Sequence, residues 1–115
     1  LVESTTHGLN IAANAIPLER GDKVVLADTD FLQVAIPWCK KRDSIGIEII
    51  IVQSGDRGVL TTGDFDRMLD ASTKVVCVSS VQWSTGYRLN MQELGELCRS
   101  RGIWLVVDAV QELGA

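Results

Sequence analysis

The sequence predicts a three-layer αβα domain with a mostly parallel sheet, and three observations predict it. Four strand-length apolar runs occur: Lys23 to Ala27 (KVVLA), Glu48 to Val52 (EIIIV), Lys74 to Ser79 (KVVCVS) and Ile103 to Val107 (IWLVV). Segments with apolar residues at helical spacing separate them, and strands alternating with helices are the pattern of βαβ units. The chain has 115 residues, of which 46% are hydrophobic and 23% charged, which suits one domain with one core.

Taken in order, Ser4-Thr5-Thr6 is a helix N-cap signal, and Leu9, Ala12, Ala13 and Ile16 follow at helical spacing. Pro17 marks the end of that helix, and Glu19-Arg20-Gly21-Asp22 is a polar turn before the first strand. That strand ends in Asp28-Thr29-Asp30, where a helical segment from Phe31 to about Lys41 begins; it tolerates Pro37 only as a kink or a new first turn. The second strand leaves through Ser54-Gly55-Asp56-Arg57-Gly58, a turn by composition. Thr62-Gly63-Asp64 caps a short helix carrying Phe65, Met68 and Leu69. The third strand is followed by the loop Val81 to Gly86, and Met91, Leu94, Leu97 and Cys98 mark a helix ending at Gly102, where a C′ glycine belongs. Ile103 to Val107 has no polar break, which is how a strand buried on both faces reads.

Composition excludes several classes of function. The net charge of −4, with no basic cluster larger than Lys40-Lys41-Arg42, gives nucleic acid no face to bind. Every apolar run falls short of the roughly 20 residues of a membrane helix, and no signal-peptide pattern opens the chain. Three cysteines without CxxC or metal spacing read as reduced, mostly buried thiols, and hence as a cytoplasmic protein. The chain starts at Leu1 and stops at Gly114-Ala115, directly after its most functional-looking segment, so the expectation is a piece of a larger protein.

In a parallel sheet the strand C-termini share one edge, where open α/β sheets bind their ligands. Asp28 to Phe31, Ser79 to Gly86 and Asp108 to Gln111 therefore converge, with the Ser4 to Gly8 helix start nearby. A capped helix start with two threonines and a glycine offers free N–H groups and a positive dipole end, suited to phosphate. The plainer reading of each feature is structural. Threonine-rich helix starts are mostly caps, an Asp at a strand end is often a turn residue, and Asp28 and Asp30 lack a third carboxylate for a metal. Trp38, Trp83 and Trp104 read equally well as core or interface residues. Phe31 alone reads as a staple for the helix after it.

In combination the segments resemble the class V aminotransferases, fold-type-I enzymes dependent on pyridoxal 5′-phosphate (PLP) that include cysteine desulfurases and isopenicillin-epimerase-like proteins. Asp108-Ala109-Val110-Gln111 after an apolar strand, with Val81-Gln82-Trp83-Ser84-Thr85-Gly86 before it, carries the resemblance. Glu3-Ser4-Thr5-Thr6-His7-Gly8-Leu9-Asn10 is similar to the family's phosphate turn, and Asp30-Phe31 through Pro37-Trp38 to the segment over the cofactor ring. The resemblance implies a transferase fragment with these roles: Asp108 pairs with the protonated pyridine nitrogen, and Gln111 donates to the phenolate oxygen. Thr6, with the backbone N–H groups of Thr6 and His7, holds the phosphate, and Phe31 stacks on the ring. Desulfurases usually carry histidine at the stacking position, so Phe31 points towards the epimerase-like or broader branch. Trp83 stands where many members place an asparagine near the substrate carboxylate, and Thr85 is a candidate for replacement hydrogen bonds.

The resemblance further implies an amino acid or amine as substrate, a homodimer, and residues 1–115 as a single fragment of the large PLP-binding domain. The Schiff-base lysine comes downstream of the Asp/Gln pair in this family, and none of Lys23, Lys40, Lys41 or Lys74 matches its position. The expectation is that these 115 residues alone bind PLP weakly and turn nothing over. A second reading, of another class, is a freestanding flavodoxin-like binding or receiver module in which Asp28 and Asp108 serve a different ligand. A third is a non-catalytic structural remnant.

Overall fold

The computed structural model describes residues 1–114. Four strands form one parallel sheet: β1 (Lys23–Ala27), β2 (Glu48–Val52), β3 (Thr73–Ser79) and β4 (Trp104–Asp108), in the order β2-β1-β3-β4. Four α-helices accompany them: α1 (Thr5–Ala15), α2 (Leu32–Ile45), the short α3 (Thr62–Asp66) and α4 (Met91–Ser100). The chain passes from β1 to β2 on one side and returns to place β3 on the other. The strand order thus reverses at β1/β3, the point at which open sheets split to make a crevice.

Alternation along the inner strands divides the core between the two faces. Val24 and Leu26 of β1 and Val75 and Cys77 of β3 pack against Leu9 and Ala13 of α1 and Val34 and Trp38 of α2. The intervening residues Val25, Ala27, Val76 and Val78 pack against Phe65, Leu69, Leu94 and Cys98 on the opposite face. This period-two exchange is what fixes three layers rather than two.

The terminal signals account for most element boundaries. Ser4 Oγ accepts from the His7 N–H (3.2 Å), a hydroxyl cap on an otherwise unpaired donor. Asn90 Oδ1 caps α4 in the same way through the Glu93 N–H (3.2 Å). Gly46, at φ +82°, terminates α2 in the left-handed region and hydrogen-bonds back to Arg42. Pro37 lies in the second turn of α2, and the helix continues through it to Ile45, four residues beyond the sequence expectation. The proline leaves only the Gln33 carbonyl without its N–H partner, a loss the buried Trp38 packing outweighs.

Three expectations are corrected. The cap of α3 is Thr61, whose side chain and backbone exchange a capping box with Asp64, and the helix closes at Asp66, before Met68 and Leu69. Val59 to Leu60 leads into it after a single 3₁₀ turn at Asp56–Gly58. The third correction concerns β4, which is the sheet edge and not a strand buried on both faces: Trp104 is 60% exposed and Val107 40%. An apolar run reports that a strand is built to be covered, and carries no information about whether the covering neighbour lies within these residues. The strands enclosed on both sides are β1 and β3.

Candidate functional site

The β1/β3 split and the end of β4 open into a cleft of about 370 Å³. Ser4, Thr5, Thr6, Phe31, Gln33, Trp83, Asp108, Val110 and Gln111 line it, so four separate chain segments meet there.

Asp108 closes β4 and is 5% exposed. Its main-chain carbonyl accepts from the Ser80 N–H (2.9 Å), tying the ends of β3 and β4 together. Its Oδ1 accepts from the Val110 N–H (3.1 Å), an Asx turn that starts the chain round towards Gln111. The Glu112 and Leu113 N–H groups then return to the Ala109 carbonyl (3.0 and 2.9 Å), which fixes the turn carrying Gln111 over the cleft. Asp108 Oδ2 receives no donor from the described residues. An enclosed carboxyl oxygen without a protein donor is suited to face a cation or a strong hydrogen-bond donor.

At the far wall stands the N-terminus of α1. The cap on Ser4 takes the His7 N–H, and Gly8 N–H returns to the Ser4 carbonyl (3.0 Å). The Thr5 and Thr6 N–H groups donate to no acceptor among the described residues, and both residues line the cleft. This corrects the expected phosphate contact at His7: its N–H is already bonded, and the residue lies outside the cleft. The free pair is Thr5 and Thr6.

Phe31 and Trp83 form the apolar wall. Their ring centroids lie 5.4 Å apart at 69°, an edge-to-face pair, with Phe31 41% and Trp83 55% exposed. The residues immediately before them in sequence, Asp30 and Gln82, hold this pair in place. Asp30 Oδ2 accepts from the Ala27 N–H (2.9 Å), and Oδ1 accepts from the Ser79 N–H (2.8 Å) and the Gln82 side-chain Nε2 (3.4 Å). Asp30 therefore bridges the ends of β1 and β3 across the split, and Gln82, fully buried, anchors the loop that carries Trp83. Thr85 is not brought to the cleft. Its Oγ1 accepts from the Tyr87 N–H (3.2 Å), and its methyl lies 2.8 Å from where a Cβ on Gly58 would stand.

Burial pushes the Asp30 carboxyl above its usual range, against the opposing effect of its backbone and Gln82 donors. A folded-state pKa above the unfolded value means that the native state binds more protons between the two. Stability therefore falls as pH rises through that window and is regained as pH drops through it. Asp30→Asn is expected to abolish this component of the pH slope. It also sets an amide N–H₂ among three donors, lowering stability at neutral pH by about 1–3 kcal/mol. Urea titrations from pH 4 to 7 on both proteins check this, and an unchanged slope would count against it.

Other candidates have structural work. Asp28 Oδ2 accepts from the Ser54 N–H and hydroxyl (3.0 and 3.1 Å), so it pins the β2 exit and does not serve the ligand site that a flavodoxin-like reading requires. Lys23 pairs with Asp70 (2.6 Å) at the opposite end of β1, and no lysine among the described residues lines the cleft. Cys77 is buried, and burial pushes its thiol up to about 12; it and the equally buried Cys98 are packing residues, and Cys39 is free as well. No group of three metal-ligating side chains occurs among the described residues. Sequence reasoning missed Gln33, two positions after Phe31. An amide on the first turn of a helix carries no sequence signal that would have revealed it.

The cleft suits a flat, cationic heterocycle bearing an anionic substituent. An enclosed carboxylate with one free oxygen, an amide, an aromatic wall and a helix N-terminus supply the complementary chemistry, and PLP has each of the matching parts.

The model of the family described as Aminotransferase class-V matches residues 1–115. Among curated proteins, a probable cysteine desulfurase of Methanothermobacter thermautotrophicus is 26% identical over 112 residues, covering 97% of this chain and 28% of the relative. Among solved structures, the apo cysteine desulfurase of Thermococcus onnurineus NA1 is similar with a TM-score of 0.88 at 27% identity, covering 97% of this chain and 28% of that one. The fold is also that of C-DES, seen as a K223A mutant with glycine covalently linked to its PLP cofactor; the TM-score is 0.87 at 21% identity, with 95% and 30% covered. The chain thus spans less than a third of the length of these relatives.

Proposed function

The chain belongs to the class V aminotransferase family, and from that premise we propose that it forms the PLP-binding part of an enzyme acting on an amino acid or amine. One observation carries the reading: Thr6, Phe31, Asp108 and Gln111, from three segments spread over the whole chain, line a single cleft at the strand switch point.

When bound, PLP supplies an electron sink for the substrate's reacting carbon. The residues here orient it and set its charge. Asp108 Oδ2 is the acceptor for the ring N–H, and its enclosure at 5% exposure strengthens that ionic hydrogen bond by excluding water. Gln111 offers its amide to the ring's phenolate oxygen. The N–H groups of Thr5 and Thr6 and the Thr6 hydroxyl hold the phosphate at the positive end of α1. Phe31 covers a ring face, and Trp83, packed on its edge, borders the side from which substrate enters. Phe31 in place of a stacking histidine favours the epimerase-like or broader aminotransferase branch.

The reading extends to the assembly. Trp104 and Val107 on the sheet edge, with Leu113 beyond it, expose apolar area that the rest of the full-length chain or a second copy covers, and the homodimer that the family implies belongs to the same proposal. Three unpaired cysteines fit a reducing, cytoplasmic location. No helix among the described residues is long and apolar enough to cross a membrane.

Titrating the full-length protein with PLP tests the proposal. The expected results are saturable change in the PLP absorbance spectrum, raised thermal stability in proportion to ligand, and a covalent pyridoxyl adduct after borohydride reduction. Spectrum and stability both unchanged at excess PLP would overturn it.

A further inference from the structure

We propose that Gln33 is a ligand-binding residue, donating from its side-chain amide to an anionic oxygen of the group seated against the N-terminus of α1. The inference rests on the functional reading above and extends it to a residue outside the expected set. Gln33 is the second residue of α2 and lines the cleft together with Ser4, Thr5 and Thr6. Its Oε1 is closed off from solvent and has no donor, so the amide is held by packing rather than by a protein hydrogen bond. Its Nε2 donates to no acceptor among the described residues and, unlike Oε1, is not closed off, so it is the atom of this cleft-lining side chain that is free to meet a ligand.

Charge gives that donor its importance. The residues lining the cleft include one acid, Asp108, and no Lys, Arg or His. Among the described residues, an anion bound at α1 is thus met by neutral donors and helix dipoles, and each donor matters to that part of the recognition. The start of α2 adds a second positive helix end beside the first, because Phe31 provides no side-chain cap there. The enclosed Asp108 carboxylate, lining the same cleft with a free oxygen, independently marks the cavity as a ligand site. Two anionic oxygens have the required chemistry, those of the cofactor phosphate and those of a substrate carboxylate.

The experiment uses full-length protein with Gln33→Leu, which removes the donor and keeps the shape, and Gln33→Glu, which sets a carboxylate there. Affinity for PLP and for pyridoxal, which lacks the phosphate, is read by absorbance titration. For the phosphate, Gln33→Leu weakens PLP binding about tenfold and Gln33→Glu more, with pyridoxal affinity unchanged. For the substrate carboxylate, PLP affinity stays as in the wild type. The amino-acid concentration for half-maximal spectral change then rises about tenfold, while an amine without a carboxylate is unaffected. Either pattern supports the inference. Wild-type behaviour of both variants towards all four ligands would overturn it, as would equal weakening of PLP and pyridoxal, the mark of altered packing. Wild-type protein that binds neither aldehyde would overturn the functional reading itself.

Discussion

Asp108→Asn in the full-length protein is expected to weaken PLP binding by about tenfold to hundredfold, the range of a hydrogen bond to a charged group. The substitution is chosen to separate chemistry from folding. Asparagine keeps an Oδ1 acceptor for the Val110 N–H, so the Asx turn that aims Gln111 survives. The main-chain bond from Ser80 to the residue 108 carbonyl is unaffected by any side chain. What disappears is the negative charge facing the cleft and, with it, the ability to favour a protonated ring nitrogen. Turnover of the bound complex should fall further than affinity, because an unprotonated ring is a poorer electron sink. Absorbance titration measures the affinity, and a urea midpoint within error of the wild type confirms that the fold is intact. PLP affinity within twofold of wild type would remove Asp108 from the proposed role.

The largest expected effect on stability is at Trp38. It has no exposed area and stands on α2 against Leu9 and Ala13 of α1 and the β1/β3 side chains Val24, Leu26, Val75 and Cys77. Trp38→Ala removes the side chain that holds both helices to one sheet face, a change that costs about 3–5 kcal/mol. Against a total of roughly 5–15 kcal/mol for a typical domain, this is a large share. Function should follow folding here, since α1 carries Thr6 and α2 directly follows Phe31 and carries Gln33. PLP affinity is expected to fall only as the folded fraction falls. A denaturant midpoint lowered with unchanged slope verifies the mechanism; a midpoint like the wild type's would show that the site repacks.

Much of this protein could be read from its residues in order. Four apolar runs located four strands because burial on a pleated sheet demands them. Ser4 and the spacing to Ile16 located α1 because helix ends need capping groups. Asp108 and Gln111 could be singled out because a polar pair straight after an apolar strand lies where open sheets bind ligands, and because the segment resembles that of the class V aminotransferases. Local patterns record local requirements, and each of these features answers a local requirement.

The rest depended on contacts between segments far apart in the chain. Thr61 rather than Thr62 caps α3 because Asp64 reaches back to Thr61, a choice that two adjacent threonines leave undetermined. β4 is an edge because pairing order is a property of the sheet, and a strand's composition is the same whether its second neighbour is present or absent. His7 lies outside the cleft because Ser4 claims its N–H, and Thr85 because it packs at Gly58. Asp30, apparently a turn residue, joins β1 to β3 from 49 positions away and sets the Phe31–Trp83 wall. Gln33 carries no sequence signal, since an amide on a helix is ordinary until the fold closes its oxygen off and turns the residue to a ligand cleft. The sequence by itself determined which runs form strands and where the longer helices lie; the tertiary structure decided which of them are covered and which groups face one another, because hydrogen bonds and cavities depend on distances in space that chain order does not encode.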